Sequence, residues 1–151
     1  MNKFIFIGLL ATSVSTAAFA ETGLRAHLNG DAEVPPVATV AGGTGEFTIN
    51  DANTEIRYNL DLAEIENPTA AHIHIGKFGE AGPIIFNLST EPFDEDLNGV
   101  INVTTFVPQA AQGINTPADA LNAIRGGNTY VNVHTTKQPN GEIRGQLVIV
   151  P

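Results

Sequence analysis

Two histidines at alternate positions are the first residues in this chain that could do chemistry. Residues 71–75 run Ala-His-Ile-His-Ile, so His72 and His74 share one face and the isoleucines share the other. Such alternation is typical of a half-buried strand. Imidazoles at positions i and i+2 of a strand lie about 6.5–7 Å apart and point the same way. One metal ion with bonds of roughly 2.0–2.1 Å to the ring nitrogens can therefore bridge them.

A third histidine lies in a second alternating segment. There, Tyr130, Asn132 and His134 fall on one face of the predicted strand, and valines fall on the other. If the two strands are neighbours, His134 converges with the first pair. The candidate metal ligands are therefore His72, His74 and His134, and imidazole ligands suit copper or zinc.

A structural role for these histidines is the alternative. In that interpretation the three imidazoles bond to backbone carbonyls, to Asn132 or to Glu142. The fourth histidine, His27, is expected at the surface. The sequence has no nucleophile elbow, phosphate loop or cysteine–histidine pair, which favours a non-catalytic protein, although a general-base role for His134 stays open.

An acidic segment resembles the start of a calcium loop. Residues 94–99, Asp-Glu-Asp-Leu-Asn-Gly, match the opening D-x-D-x-N-G. The twelfth position is Thr105 instead of the bidentate glutamate, and strands rather than helices flank the segment. We therefore expect an acidic hairpin turn here and not a calcium site.

The remaining segments predict the elements that must position these side chains. Glu33-Val34-Pro35-Pro36 is expected to be extended, and a helix is expected from the Thr116-Pro117 start to the glycine pair at 126–127. An Asn-Gly turn at 138–141 predicts a final hairpin. Two antiparallel sheets, or a Greek-key barrel, with one short helix is the expected architecture. Strands are predicted over residues 24–29, 42–50, 54–62, 71–75, 84–88, 100–107, 130–135 and 142–150.

Two acidic residues could pair with Arg144. Glu142 and Arg144 fall on the same face of the last predicted strand. We expect an ion pair between them, or between one of them and Glu33.

The N-terminus has the pattern of a secretory signal peptide. A positive start that includes Lys3 precedes an apolar run over residues 4–11, and Ala18-Phe19-Ala20 matches a cleavage site. We expect a signal peptide at 1–20, a single mature domain at 21–151 that begins at Glu21, and a periplasmic or extracellular location. The chain has no cysteine, so disulfides and lipid attachment to a cysteine are excluded.

The acidic charge argues against several classes of partner. Without Lys3 the mature chain keeps six basic and sixteen acidic residues, a net charge of −10. Such a chain is repelled by nucleic acid and by anionic lipid surfaces. No second long apolar segment follows the first, so we expect no membrane anchor. The partner is instead expected to be a metal ion or an unknown protein.

Five motifs stand out in the chain: Glu-Val-Pro-Pro (33–36), Ala-His-Ile-His-x-Gly (71–76), Gly-Pro-Ile-Ile (82–85), Tyr-Val-Asn-Val-His-Thr (130–135) and Gly-Glu-Ile-Arg-Gly-Gln-Leu (141–147). Together they resemble the CHRD domain family. The CHRD domain family is named after chordin, an extracellular inhibitor of bone morphogenetic proteins, and it has many stand-alone exported bacterial members. It is distantly similar to the copper–zinc superoxide dismutases. The resemblance implies an immunoglobulin-like Greek-key β-sandwich or barrel over 21–151, and it matches His72 and His74 to the copper-binding pair of the dismutases.

Three functions follow from these observations. The first is an exported, non-catalytic domain that binds copper or zinc through its histidines. The second is a copper-dependent, superoxide dismutase-like enzyme. Against it, the bridging histidine and zinc ligands of the dismutases have no evident counterparts, and a net charge of −10 repels the superoxide anion. The third is an extracellular protein-interaction module.

Overall fold

Nine short strands are the main regular elements of residues 20–151, the part of the chain that a computed structural model describes. The predicted signal peptide, apart from Ala20, lies outside the described residues. The described elements are β1 (Thr22–Asn29), β2 (Gly42–Ile49), β3 (Glu55–Ala63), β4 (Pro68–Ile75), β5 (Ile84–Ser89), β6 (Asp96–Asn102), α1 (Pro117–Arg125), β7 (Thr129–Thr135), β8 (Ile143–Gln146) and β9 (Val148–Ile149), with 3₁₀ turns at Val103–Thr105 and Ala110–Gln112.

The strands form one antiparallel sheet that nearly closes on itself. Its order is β5-β4-β7-β8-β1-β2-β3-β6, and β9 pairs with β1. The two end strands approach each other, and the Tyr58 hydroxyl of β3 donates a hydrogen bond of 2.8 Å to the Leu88 carbonyl of β5. The all-β barrel or sandwich expected from the sequence, with one short helix, is confirmed.

The core lies where the alternation of the sequence places it. Leu24, Ala26 and Leu28 of β1 are buried while the residues between them face outward, which confirms the predicted register. Ile73 of β4 is also buried, but Ile75 is only partly buried because β4 ends there and the chain turns away. Both isoleucines nevertheless face the core, as the alternation predicts, because Ile75 packs against the buried cluster.

The predicted helix is confirmed together with its start signal. Thr116 caps α1: its hydroxyl accepts a hydrogen bond from the Asp119 N–H, and the Asp119 carboxylate accepts one from the Thr116 N–H. Leu121 and Ile124 bury the apolar face against the core. Among the described residues, no helix is long and apolar enough to cross a membrane.

The strand predicted at 100–107 is wrong in its bounds. β6 begins at Asp96 and ends at Asn102, whose side chain accepts a hydrogen bond of 2.9 Å from the Thr104 N–H and caps a 3₁₀ turn. The acidic hairpin turn expected at 94–99 is wrong as well, because Asp96 lies opposite Asp61 within the β3–β6 ladder. Most of the strand faces solvent, so polar residues are tolerated there and the local composition misled the prediction.

Two other predicted segments also differ from the structure. The strand expected over 142–150 is interrupted at Leu147, whose N–H donates a hydrogen bond of 2.9 Å to the Thr129 carbonyl, so that β8 pairs with β7 and β9 pairs with β1. The segment that begins at Glu33 is a compact turn instead of an extended run. The N–H groups of Glu33 and Val37 both donate to the Gly30 carbonyl, at 3.1 and 2.9 Å.

Candidate metal centre

Strands β4 and β7 are neighbours, and this pairing brings three predicted ligands together. In the antiparallel register His72 lies opposite Asn132, and His134 lies two residues along, opposite Ala70. All three histidines point away from the core, and one ring nitrogen from each of His72, His74 and His134 lies within 4.8 Å of the others. His27 is exposed on β1, as expected, and takes no part in this cluster.

Two backbone carbonyls determine which ring nitrogen is free in His74 and in His134. His74 Nδ1 lies 2.8 Å from the Gly82 carbonyl, and His134 Nδ1 lies 3.0 Å from the Pro139 carbonyl. Because a carbonyl oxygen only accepts, both Nδ1 atoms carry the proton and both Nε2 atoms keep a lone pair. The structural alternative thus holds for these two Nδ1 atoms, while each Nε2 atom keeps a lone pair that could bind a ligand.

The imidazole of His72 contacts the imidazole of His134 directly. His72 Nδ1 lies 3.1 Å from His134 Nε2. Since the Nε2 atom of His134 has a lone pair, His72 Nδ1 is the donor in the metal-free protein. A metal ion between them would take the place of this shared proton.

His74 gives the clearest indication that this cluster could hold a ligand. Its Nε2 atom is buried, and no group in residues 20–151 forms a hydrogen bond with it. A buried polar atom without a partner costs about 1–3 kcal/mol, and such atoms in native proteins call for a specific explanation. A metal ion bound by the three histidines would satisfy this atom.

Burial keeps two of the imidazoles neutral. Burial, followed by the neighbouring imidazoles of His134 and His74, lowers the pKa of His72 from 6.5 to about 4. Burial is also the largest cause that lowers the pKa of His74 from 6.5 to about 4, although its hydrogen bond to Gly82 acts in the opposite direction. Neutral imidazole is the form that coordinates metal, so both side chains are ready to bind well below neutral pH.

The loop between β4 and β5 presses against the strand end and supplies the carbonyl for His74. A Cβ atom at Gly82 would lie 1.8 Å from the Ile75 carbonyl oxygen, so only glycine fits this close approach. No side-chain pattern in the sequence marks the Gly82 carbonyl as the acceptor that orients His74. The Gly-Pro step at 82–83, eight residues after His74, was the available signal.

A buried ion pair lies beside the histidines. The predicted pairing of Arg144 with an acidic residue is confirmed with Glu33, at 2.7 Å, and both side chains are more than nine-tenths buried. The Asn132 side-chain amide donates a hydrogen bond to the other carboxylate oxygen of Glu33. The Arg144 guanidinium lies 4.3 Å from the ring centroid of Tyr130. The compact turn at Glu33 is what carries its carboxylate to this position.

The second acidic residue, Glu142, supports the other side of the cluster. Its buried carboxylate accepts hydrogen bonds from the Thr39 and Thr135 hydroxyls, at 2.7 and 2.6 Å. The Thr135 hydroxyl oxygen in turn accepts a hydrogen bond of 3.0 Å from the Gln138 N–H. Glu142 therefore helps to fix the turn whose Pro139 carbonyl orients His134.

The fold and this cluster define a class of protein: an antiparallel β-barrel domain with three histidines on its outer face that could hold a metal ion. A family model described as the CHRD domain matches residues 24–147, so the chain belongs to the CHRD domain family. Neither a curated protein nor a solved structure matches the chain.

Proposed function

We propose that this CHRD protein is exported and binds one copper or zinc ion through His72, His74 and His134, without catalysing a reaction. The observation that carries the proposal is the buried, unpartnered Nε2 atom of His74 beside the nitrogens of the other two histidines. The hydrogen bonds at Nδ1 of His74 and His134 support it, because metal-bound histidines usually donate the other ring N–H to such acceptors.

The ligand chemistry selects the metal. Imidazole suits both copper and zinc, and the chain has no cysteine to supply a thiolate. Among divalent ions an all-nitrogen site binds Cu²⁺ more tightly than Zn²⁺. We therefore expect Cu²⁺ to displace Zn²⁺ from the site when both ions are present. Three protein ligands leave one position of a four-coordinate ion for water.

A binding function is favoured over catalysis by the surroundings of the cluster. A cavity of about 780 Å³ lies next to Phe93 and Asp96, and none of its lining residues is a histidine. His134 Nε2 contacts His72 and its Nδ1 contacts the Pro139 carbonyl, so a general-base role and metal binding would compete for the same Nε2 lone pair. The export proposal depends on the N-terminal segment, and it requires exported protein that begins at Glu21.

Calorimetric titration with copper and with zinc tests the function. We expect the wild type to bind one equivalent, and His74→Ala to lose this binding. His27→Ala is the matched control, because that histidine is exposed and distant from the cluster in sequence, and it should bind like the wild type. Equal binding by His74→Ala and wild type, or no binding by either, would overturn the proposal in favour of a protein-interaction module. Superoxide consumption by the copper-loaded protein would instead support the enzyme.

A further inference from the structure

We propose that Tyr130 is a positioning residue that holds His74 in the orientation needed to bind the ion; this inference rests on the proposed function. The two rings stack with their centroids 5.0 Å apart and their planes 9° from parallel. Tyr130 is buried on β7, directly opposite His74 in the β4–β7 ladder. The phenol ring therefore restricts rotation of the imidazole from one side.

The hydroxyl of Tyr130 acts on the same histidine through the loop. It accepts a hydrogen bond of 3.1 Å from the Gly82 N–H and lies 3.3 Å from the Gly82 carbonyl, to which it can donate. That carbonyl also accepts the hydrogen bond from His74 Nδ1. One tyrosine thus contacts both the face of the imidazole and the residue that holds its Nδ1 atom.

Tyr130 is itself in contact with the buried ion pair of Arg144 and Glu33. The Arg144 guanidinium lies over the Tyr130 ring and is fixed by Glu33 and by the Glu80 carbonyl, the latter at 3.2 Å. Glu80 belongs to the same loop as Gly82. Arg144 therefore joins the loop, the tyrosine and the turn at Glu33 into one rigid support for His74.

This support matters because His74 can reach the ion only through Nε2. If the ring turned or the loop moved away, the free nitrogen would no longer face the other two imidazoles. Residues that orient metal ligands in this way typically change metal affinity 10–100-fold when they are replaced. The affinity of the site therefore depends on a residue that does not touch the ion.

The test compares two tyrosine variants of the full chain. Tyr130→Phe keeps the stacking ring but removes the hydroxyl. Tyr58→Phe is the matched control, because it also removes a hydroxyl that donates to a backbone carbonyl, that of Leu88, on a part of the sheet without histidine ligands. The readouts are the Cu²⁺ dissociation constant from competition with a chelator, the Cu²⁺ electron paramagnetic resonance spectrum, and the melting temperature without metal.

We expect Tyr130→Phe to bind Cu²⁺ about 10-fold or more weakly and to give an altered spectrum. Tyr58→Phe should match the wild type in both, whatever its melting temperature. If the wild type binds Cu²⁺ and Tyr130→Phe has the same affinity and spectrum, the positioning role is overturned while the proposed function stands. If the wild type binds no Cu²⁺, the proposed function and the positioning role both fail.

A second measurement keeps the inference testable if Tyr130→Phe does not fold. The chain has two tyrosines and no tryptophan, so Tyr58→Phe leaves Tyr130 as the sole tyrosine emitter. Because its ring stacks on His74, we expect one equivalent of Cu²⁺ to quench this emission and Zn²⁺ to leave it largely intact. Undiminished emission from Cu²⁺-saturated protein would show that Tyr130 is not beside the ion and would overturn the inference.

Discussion

His72 and His134 meet nitrogen to nitrogen, with 3.1 Å between Nδ1 of the first and Nε2 of the second. Two nitrogens that share a tetrahedral ion with bonds of about 2.0–2.1 Å lie roughly 3.3–3.4 Å apart. This separation is therefore close to the one that a shared ion requires. Little movement of β4 and β7 is needed for these two side chains to become ligands.

Stability without metal should fall as the solution becomes acidic. The pKa values of His72 and His74 are lowered from 6.5 to about 4 in the folded protein. The unfolded chain therefore takes up protons first, and the stability present above pH 6.5 is lost as the pH falls towards 4. Urea unfolding of the metal-free protein between pH 7 and pH 4.5 measures this loss. The double variant His72→Gln, His74→Gln should lose less stability over that range, and an equal loss in both proteins would contradict the prediction.

Metal binding should depend only weakly on pH near neutrality. Three ordinary imidazoles would each compete for a proton near pH 6.5, and the logarithm of the binding constant would then change by up to about three per pH unit below that value. Because the pKa values of His72 and His74 are about 4, neither side chain should take up a competing proton between pH 7 and pH 5, and the slope should stay well below three. Zinc titrations at several pH values in this range measure the slope. A slope near three would contradict the burial of the two imidazoles.

The different burial of Ile73 on β4 and His27 on β1 predicts that their alanine substitutions lower the free energy of unfolding by different amounts. Ile73 is fully buried opposite the histidines, so Ile73→Ala should lower the free energy of unfolding by about 2–5 kcal/mol. His27→Ala should change it by less than about 0.5 kcal/mol, because that side chain is exposed. Denaturant titration of both variants gives the comparison. Similar destabilisation by the two would mean that the register of β4 or β1 is wrong.

The two ion pairs of the described residues differ in burial and offer a matched test. Glu33→Gln leaves Arg144 buried without its charge partner and should cost about 3–5 kcal/mol. Glu46→Gln breaks the pair between Glu46 and Arg25, and the side chains of Arg25 and Glu46 are 59% and 64% exposed. This substitution should lower the free energy of unfolding by only about 0–1 kcal/mol. Unfolding free energies measured at the same pH compare the two. Equal small effects would show that the buried pair contributes little to the fold.

Much of the fold could be predicted from local patterns. Period-two alternation identified β1, the β2–β3 hairpin, β4 and β7, because one face of each strand is buried against the core. The bounds of β6 could not be predicted this way, since its polar residues are held in the sheet by pairing with β3 and not by burial.

The candidate site was predictable only in part. The faces on which His72, His74 and His134 lie follow from the sequence, but the adjacency of β4 and β7 is a property of the whole sheet. The carbonyl acceptors at Gly82 and Pro139 belong to loops, where no side-chain pattern marks them. These acceptors determine which nitrogens are free, so the chemistry of the cluster required the structure.

Anomalous diffraction at the copper absorption edge, from crystals of the copper-loaded protein, tests the metal site most directly. The account predicts a single strong peak on the outer face of β4 and β7, about 2 Å from one ring nitrogen of each of His72, His74 and His134. His74 should contribute Nε2 and keep its Nδ1 hydrogen bond to the Gly82 carbonyl. A copper-loaded crystal with no peak between these three imidazoles, or with its peak elsewhere on the surface, would contradict the account.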